Sequence, residues 1–402
     1  MKRVMVVAGG QWQIPIIKKA KEMGMFVINT NLYEDSPTKE YVDVFEVSDV
    51  LDKERNLEVA LKYKPDAIIT DQSDIAVPTV AYLNEQLGLK GIGLEMANKF
   101  TNKYKMREIC KEIGIPCPDF RLCHTVEEVK EFFKANKKIV IKPIDSQASR
   151  GVYTITSEEQ IDKMFTQSIS YSNSEKVVLA EQFIEGTEFT IDGIKMPEGY
   201  YSMAISEKEH YAHSPNVASA LYFSHYNEKY DYDKLRMQNS KLVEKMGLPF
   251  GLTHAEYIYS DGAFYLVEIA ARGGGTNISG VIVPTMTGVE NNQILIKMAL
   301  GQKIEESEVH IAPKYRDRCC IMQFFDFEPG QVEAIQGKEY LESQEKVLGY
   351  GFNFKEGDYI GAPTDDSKRL GYYIAYGDTK EELNHIMARI KEEVKVIYNE
   401  GN

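Results

Sequence analysis

Short apolar runs at residues 4–7, 26–29 and 67–70 are separated by amphipathic segments over 14–23 and 56–63. Brief β-rich runs alternating with helical periodicity predict a parallel α/β sheet over about the first 95 residues. A charge-rich helix is predicted over 103–113, and Gly114-Ile115-Pro116-Cys117-Pro118 then leads into a region where strands recur in hairpins. There, 139–143 reads as a strand end, 145–151 as a loop of small residues, 152–155 as the returning strand and 177–183 as a further apolar run. Residues 253–259 and 264–270 form two more runs joined by Asp261 and Gly262. Between them, residues 195–235 carry many tyrosines, three histidines (His210, His213, His225) and little periodicity, which predicts a strand and then a long loop near a site. Towards the C-terminus the chain is strand-like at 320–325 and 371–376. A final helix is predicted over 380–398, opened by the capping-box pattern Thr379-Lys380-Glu381-Glu382.

Composition narrows the class. At 402 residues, 43% hydrophobic and 27% charged, the chain has room for two or three domains around a large core. A net charge of −14 with no basic run disfavours nonspecific contact with nucleic acid or an anionic membrane. The apolar run at 4–7 is too short, and too soon followed by Gly9-Gly10, to be a signal peptide or membrane span, so a cytoplasmic protein is expected. Cysteines 110, 117, 123, 319 and 320 form no Cys-x-x-Cys pair and read as reduced, mostly buried thiols. The first strand ends in Ala8-Gly9-Gly10-Gln11-Trp12-Gln13, which lacks the third glycine of a dinucleotide fingerprint and disfavours a nicotinamide or flavin site.

The chemistry concentrates around Glu256 and Glu268, with Arg272 and Gly273-Gly274-Gly275 just beyond. Two carboxylates can hold Mg²⁺ between nucleotide phosphates, and an adjacent arginine can neutralise charge on a transferring phosphoryl group. Isolated strand glutamates are ordinarily solvated, but Glu268 sits within Tyr-Leu-Val-Glu-Ile-Ala-Ala, a run that reads as buried, where a lone carboxylate is costly. Strand side chains alternate, so a two-residue Asp261-Gly262 turn would put the glutamates on opposite faces. A three-residue loop, 261–263, pairs Ser260 with Phe264 and sets Glu256 against Glu268, so a shared metal site requires that loop. Lys142 ends an apolar strand at the base of the 145–151 loop, whose N–H groups can fold over phosphates. The segment Ala180-Glu181-Gln182-Phe183-Ile184-Glu185-Gly186-Thr187-Glu188 can supply an apolar slot for a purine and a carboxylate for a ribose. Asp71-Gln72-Ser73-Asp74 closes another early strand, where either a polar substrate contact or helix capping by Ser73 or Asp74 fits.

Taken in order, Lys103, Lys142-Pro143, the Ser/Gly loop, Glu181 to Glu188, Glu256, Glu268 and Arg272 resemble the ATP-grasp superfamily. The resemblance implies an α/β and α+β fold: a parallel-sheet domain at 1–95, a small lobe with its connecting helix at 96–185, a large lobe at 186–310 and a closing subdomain at 311–402. It implies ATP and Mg²⁺ as cofactors. Lys103 and Lys142 look like the lysines that meet the phosphates, and Ser146, Ser149 and Gly151 belong to the phosphate-covering loop. Glu181, Gln182, Phe183 and Ile184 resemble the adenine hinge and Glu188 stands at the ribose position. Glu256 and Glu268 match the metal ligands, and Arg272 matches the arginine of the phosphoryl transition state. The segment 371–379 resembles the closing domain of the biotin-carboxylase-like branch, but Arg272-Gly273-Gly274-Gly275 does not continue into Gln-Val-Glu-His, which disfavours a biotin-dependent role. Many relatives carry Asn where this chain has Ala270, which leaves the number of metal ions open, with Asn277 either a substitute or an ordinary loop residue.

The activity this resemblance implies is ADP-forming carboxylate–amine ligation through an acyl phosphate, as in the L-amino-acid-ligase-like and carbamoyl-phosphate-synthetase-like enzymes. The alternatives are bicarbonate activation, similar to N5-carboxyaminoimidazole ribonucleotide synthetase, or a regulatory protein that binds nucleotide without turnover. Candidate substrate contacts are Gln11, Trp12, Asp74, the 205–227 loop, Thr276, Asn277 and Ser279. The expected partners are a small carboxylate and an amine, and family analogy suggests a homodimer.

Overall fold

The computed structural model describes residues 1–399 apart from 147–149, 173–174 and 366–367. Strands β1 (Arg3–Val7), β2 (Phe26–Asn31), β3 (Val44–Val47) and β4 (Ala67–Ile69) form a parallel sheet in the order β3-β2-β1-β4. Helices Ile14–Glu22 and Lys53–Tyr63 provide crossovers, as the alternating pattern predicts. Both faces are covered, so Val4, Met5, Val6 and Val7 are fully buried, which explains a strand without polar alternation. The chain leaves β1 towards β2 on one side and places β4 on the other. The turns after β1 and β4 therefore flank the topological switch point, where an open α/β sheet has its natural crevice.

A second sheet of β5 (Phe120–Cys123), β6 (Ile139–Lys142), β7 (Tyr153–Ile155) and β8 (Val178–Gln182) has the order β5-β8-β6-β7 with antiparallel neighbours. The largest sheet starts with β9 (Thr187–Met196), β10 (Gly199–Tyr211), β11 (Ser214–Ser224), β12 (Gly251–Ser260) and β13 (Ala263–Ala270). The C-terminal segment adds β14 (Cys319–Phe324), β15 (Gly330–Gln336), β16 (Val347–Phe352), β17 (Tyr359–Ile360), β18 (Gly371–Gly377) and β19 (Lys395–Tyr398). Of these, β14, β18 and β16 extend the large sheet to β13-β12-β9-β10-β11-β14-β18-β16, while β17-β15-β19 stands apart. Among the described residues, no helix is long and apolar enough to cross a membrane.

Period-two alternation divides the large sheet. Phe189, Ile191, Ile205, Ala255, Tyr257 and Ile269 pack on one face against Leu235, Leu242, Val243 and Met246 of helix Tyr232–Met246. The strand registers put Glu188, Thr190, Asp192, Ser206, Lys208, His254 and Glu256 on the opposite face. This second face is the floor of a cleft.

Three sequence expectations need correction. The β12–β13 turn has two residues, not three: Ser260 pairs with Ala263 across Asp261 (φ 48°) and Gly262 (φ 81°), both in the left-handed region. Residues 199–224 form two long strands, β10 and β11, in place of one strand and a loop. Their alternation was obscured by irregular register around Glu209–Tyr211 and by polar residues that face a polar cleft. The last helix ends at Glu393, and Lys395–Tyr398 is a strand on β15, in keeping with β-branched Val396 and Ile397.

Gly193 offers a test of packing behind the cleft. A Cβ there would lie 2.1 Å from the Tyr200 hydroxyl, which is held by Thr253 (2.9 Å) and Asn239 (2.7 Å). Gly193→Ala is expected to lower folding stability by about 1–3 kcal/mol, read from denaturant melts. An unchanged midpoint would show that Tyr200 yields freely.

Candidate nucleotide and metal site

Glu256 and Glu268 do oppose each other, by a route the sequence reading did not foresee. Tyr257 pairs with Leu266, the register then shifts, and Glu256 pairs with Glu268, leaving Val267 as an extra residue in β13. Leu266 faces the apolar core, so an unbroken strand would have turned Glu268 to that core as well. The bulge moves Glu268 to the cleft side. It also leaves the Val267 carbonyl to accept a hydrogen bond from Arg107 Nη2 at 2.6 Å.

Each acid has a cation beside it. Lys103 Nζ donates to Glu268 Oε1 and to the Ser146 carbonyl, both at 2.7 Å. Lys208 Nζ bridges Glu256 Oε2 (3.0 Å) and Glu188 Oε2 (3.2 Å). Lys208 outweighs burial and holds the Glu256 carboxyl well below the usual range. Burial pushes Glu188 up, but Lys208 and His210 more than offset it and its pKa is lowered. Glu181, almost fully buried, takes Arg107 Nε on Oε1 and Lys142 Nζ on Oε2, each at 2.7 Å. Burial, only partly countered by Glu181, lowers the pKa of Lys142.

His254 Nδ1 lies 3.0 Å from Asp192 Oδ2, and its Nε2 is 3.7 Å from Glu256 Oε1. Burial would lower its pKa, but Asp192 reverses this and pushes it up to about 9. Arg272 makes a two-pronged contact with Asp74, Nε to Oδ1 at 2.8 Å and Nη2 to Oδ2 at 2.7 Å.

These groups surround a cleft of about 430 Å³. Val140, Val152, Phe183, Ile184, Ile258 and Val267 give it an apolar lining. The Gln182 and Phe183 N–H groups donate to the Asp119 and Lys138 carbonyls, and the Lys138 ammonium lies 3.6 Å from the Phe183 ring centre. Glu188, Lys208, His254, Glu256 and Arg272 give the cleft its charged lining, and Thr276, Ile278, Phe324 and Arg369 line it as well.

The structure thus gathers Lys142, Glu181, Gln182, Phe183, Ile184, Glu188, Glu256, Arg272 and Thr276 in the cleft wall, with Lys103 and Glu268 joined beside it. Ser146 is buried with its hydroxyl on the Arg150 carbonyl, and Gly151 has φ 75° with Pro143 packed where a Cβ would go. Ser149 lies outside the described residues. Gln11 is exposed and not part of the wall. Trp12 packs on Tyr372 with ring centres 6.1 Å apart, and so joins the first turn to β18. Asn277 gives its N–H to Gln72 Oε1. Ser279 is fully buried against Asn291, not open to the cleft. The proposed 205–227 loop is strand for most of its length, and from it Lys208, His210, Ala218 and Leu221 line the cleft.

Arg107, Asp192, Lys208 and His254 were missed. Arg107 lies one turn after Lys103 on the same helix face, and His254 lies two residues before Glu256 on the same strand face, so both were within reach of periodicity. Lys208 had no such signal, because its strand was not recognised.

Glu256 and Glu268 fit a hard divalent cation: two carboxylates share one face, and an ammonium group balances each. Among the described residues no three His, Cys, Asp or Glu side chains converge as a metal centre.

Residues 135–280 match the ATP-grasp domain family, and residues 323–399 match the L-amino acid ligase C-terminal domain 2. The chain therefore carries an ATP-grasp domain over residues 135–280. The chain is 22% identical to dapdiamide A synthase of Enterobacter agglomerans over 338 residues, covering 82% of the chain and 79% of that protein. It is 24% identical to the carbamoyl phosphate synthase large chain of Vibrio cholerae over 301 residues, 73% of this chain but only 27% of that protein. The crystal structure of an L-amino acid ligase from Bacillus licheniformis superposes with a TM-score of 0.82 at 22% identity, over 99% of both chains.

The His254–Asp192 pair makes stability depend on pH. Its raised pKa of about 9 means that the stabilisation is complete below the unfolded value near 6.5 and is lost as pH rises through 9. The contribution is on the order of 3 kcal/mol. Wild type minus His254→Gln stability, from denaturant melts, is expected to fall between pH 6.5 and 9, and parallel curves would contradict the pairing.

Proposed function

We propose that the chain is an ADP-forming ATP-grasp ligase that activates a small carboxylate as an acyl phosphate and joins it to an amine. The observation that carries this reading is the opposition of Glu256 and Glu268 on the cleft floor, with Lys103, Lys142 and Arg272 around the same cleft. The relatives named above support it.

A carboxylate is a poor electrophile because oxide leaves badly, and a phosphoryl group from ATP supplies a good leaving group. The apolar lining from Val140 to Val267 receives the base, and Glu188, on the cleft floor, suits a ribose hydroxyl. Lys103 and Lys142 stand where the phosphates would pass and neutralise them. Glu256 and Glu268 would hold magnesium, whose positive charge would offset the negative charge of the phosphates. Arg272 faces the charge that builds as the γ-phosphoryl moves to the acid, and then the acyl phosphate that the amine attacks. Placement and charge do the work, so no covalent enzyme nucleophile is needed.

ADP and phosphate release from Mg-ATP, measured across carboxylic acids, amino acids and bicarbonate, each with and without amines, tests the reaction. ADP that requires both an acid and an amine is expected. Bicarbonate alone driving release would replace the ligase with a carboxylase-type activity. Arg272→Ala is expected to lower kcat by about two orders of magnitude or more, and near-normal turnover would remove its assigned role.

A further inference from the structure

We propose that Asp74 is a positioning residue: the turn after β4 reaches out of the N-terminal sheet and fixes the plane and direction of the Arg272 guanidinium for phosphoryl transfer. This rests on the ligase reading above and adds a residue to it that does not touch the reacting atoms.

The turn grips the segment after β13 at three successive points. Asp74 takes Nε and Nη2 of Arg272 at 2.8 and 2.7 Å. Asp71 Oδ1 accepts the Gly273 N–H at 3.0 Å, and Gln72 Oε1 accepts the Asn277 N–H at 3.1 Å. The turn is itself braced against the other strand end at the switch point. Gln13 Nε2 donates to the Asp71 carbonyl (2.7 Å) and Gln72 Nε2 to the Trp12 carbonyl (2.8 Å). Gln72 holds a left-handed backbone, φ 59°, which a residue with a Cβ adopts only when its surroundings require it.

A guanidinium offers five N–H groups in one plane. Asp74 uses two and the Gly273 carbonyl takes one from Nη1 at 2.8 Å, so one N–H on each terminal nitrogen remains for a ligand. Two such donors suit two of the three oxygens of a transferring phosphoryl group. Without Asp74, Glu268 and Asp192 are among the acids that still act on the Arg272 charge. An arginine drawn to either leaves the place where negative charge develops. Gly273 and Gly274 let the backbone come this close: a Cβ on Gly273 would lie 2.7 Å from Asp71 Oδ1, and one on Gly274 2.7 Å from Asp192 Oδ1.

Asp74→Asn tests the idea with little change of volume. ADP release is measured with the acid–amine pair that gives the highest rate in the panel, and Mg-ADP binding counts the folded, nucleotide-competent enzyme. The expected result is a kcat lowered about ten- to a hundredfold, with KM for ATP and Mg-ADP affinity within about threefold, since misplacement of a transition-state group costs rate and not ground-state binding. Asp74→Asn combined with Arg272→Ala should be no slower than Arg272→Ala alone. Should Asp74→Asn fail to fold, Asp74→Glu, which keeps the charge but moves it by one methylene, is read in the same way. Normal kcat in a folded Asp74 variant, or an equal loss in kcat and Mg-ADP affinity, overturns the positioning role while leaving the ligase intact. No ADP from wild type with any pair overturns the ligase reading and the proposal with it.

Discussion

A carboxylate can be kept out of water only if a cation or several donors replace the water it loses, and this constraint organises the whole cleft. Glu181 is balanced by Arg107 and Lys142, Glu268 by Lys103, Glu256 and Glu188 by Lys208, Asp192 by His254 and Asp74 by Arg272. The partners come from different parts of the chain. Lys103 and Arg107 lie on the helix Lys103–Ile113, Lys142 and Glu181 on the smaller antiparallel sheet, Lys208 and Glu256 on the large sheet, and Asp74 beside the parallel sheet. Charge pairing therefore does more than stabilise each group, because it draws the separate layers together at one place. The anionic balance of the chain, −14 overall, is no obstacle to binding a polyphosphate when the cations are concentrated in this way.

The large sheet supplies the floor because alternation lets one strand serve two environments. Residues 189, 191, 255 and 257 make core with the helix behind, while 188, 190, 192, 254 and 256 face the cleft, so substitutions on the floor need not disturb the packing beneath. The sheet does not end with these strands. It continues through β14, β18 and β16, so the C-terminal segment is joined to the floor by backbone hydrogen bonds, and Phe324 and Arg369 line the cleft.

Much of this was legible in the sequence where local pattern and tertiary demand coincide. The helix over 103–113, the hairpin of β6 and β7, and the apolar strands of the parallel sheet follow directly from periodicity. Glu256 and Glu268 were correctly set face to face, yet through the wrong turn. Asp261-Gly262 makes a two-residue turn as its residue types favour, and the missing register step is taken up at Val267, an apolar residue with nothing in its identity to mark a bulge. Residues 199–224 failed for the opposite reason. A strand whose outer face meets a charged cleft lacks the apolar alternation that reveals strands over a core, and so Lys208 went unseen with the element that carries it. The last helix was overextended because its start is marked by a cap while its end depends on pairing with β15, some sixty residues earlier.

The bulge at Val267 ties the acid pair to the lysine pair. By turning Glu268 out of the core it gives Lys103 its partner, and by freeing the Val267 carbonyl it gives Arg107 a second acceptor besides Glu181. Arg107 and Lys103 are one turn apart on the same helix, so that helix is pinned to β13 at two points by the consequences of one extra residue. Glu181 then has one oxygen committed to Arg107, and the other is left facing Lys142. Removing the bulge would thus affect the floor and the Lys142 side of the cleft together, although Val267 carries no charge itself. The chemistry of the site rests on backbone register as much as on the identity of its acids and bases.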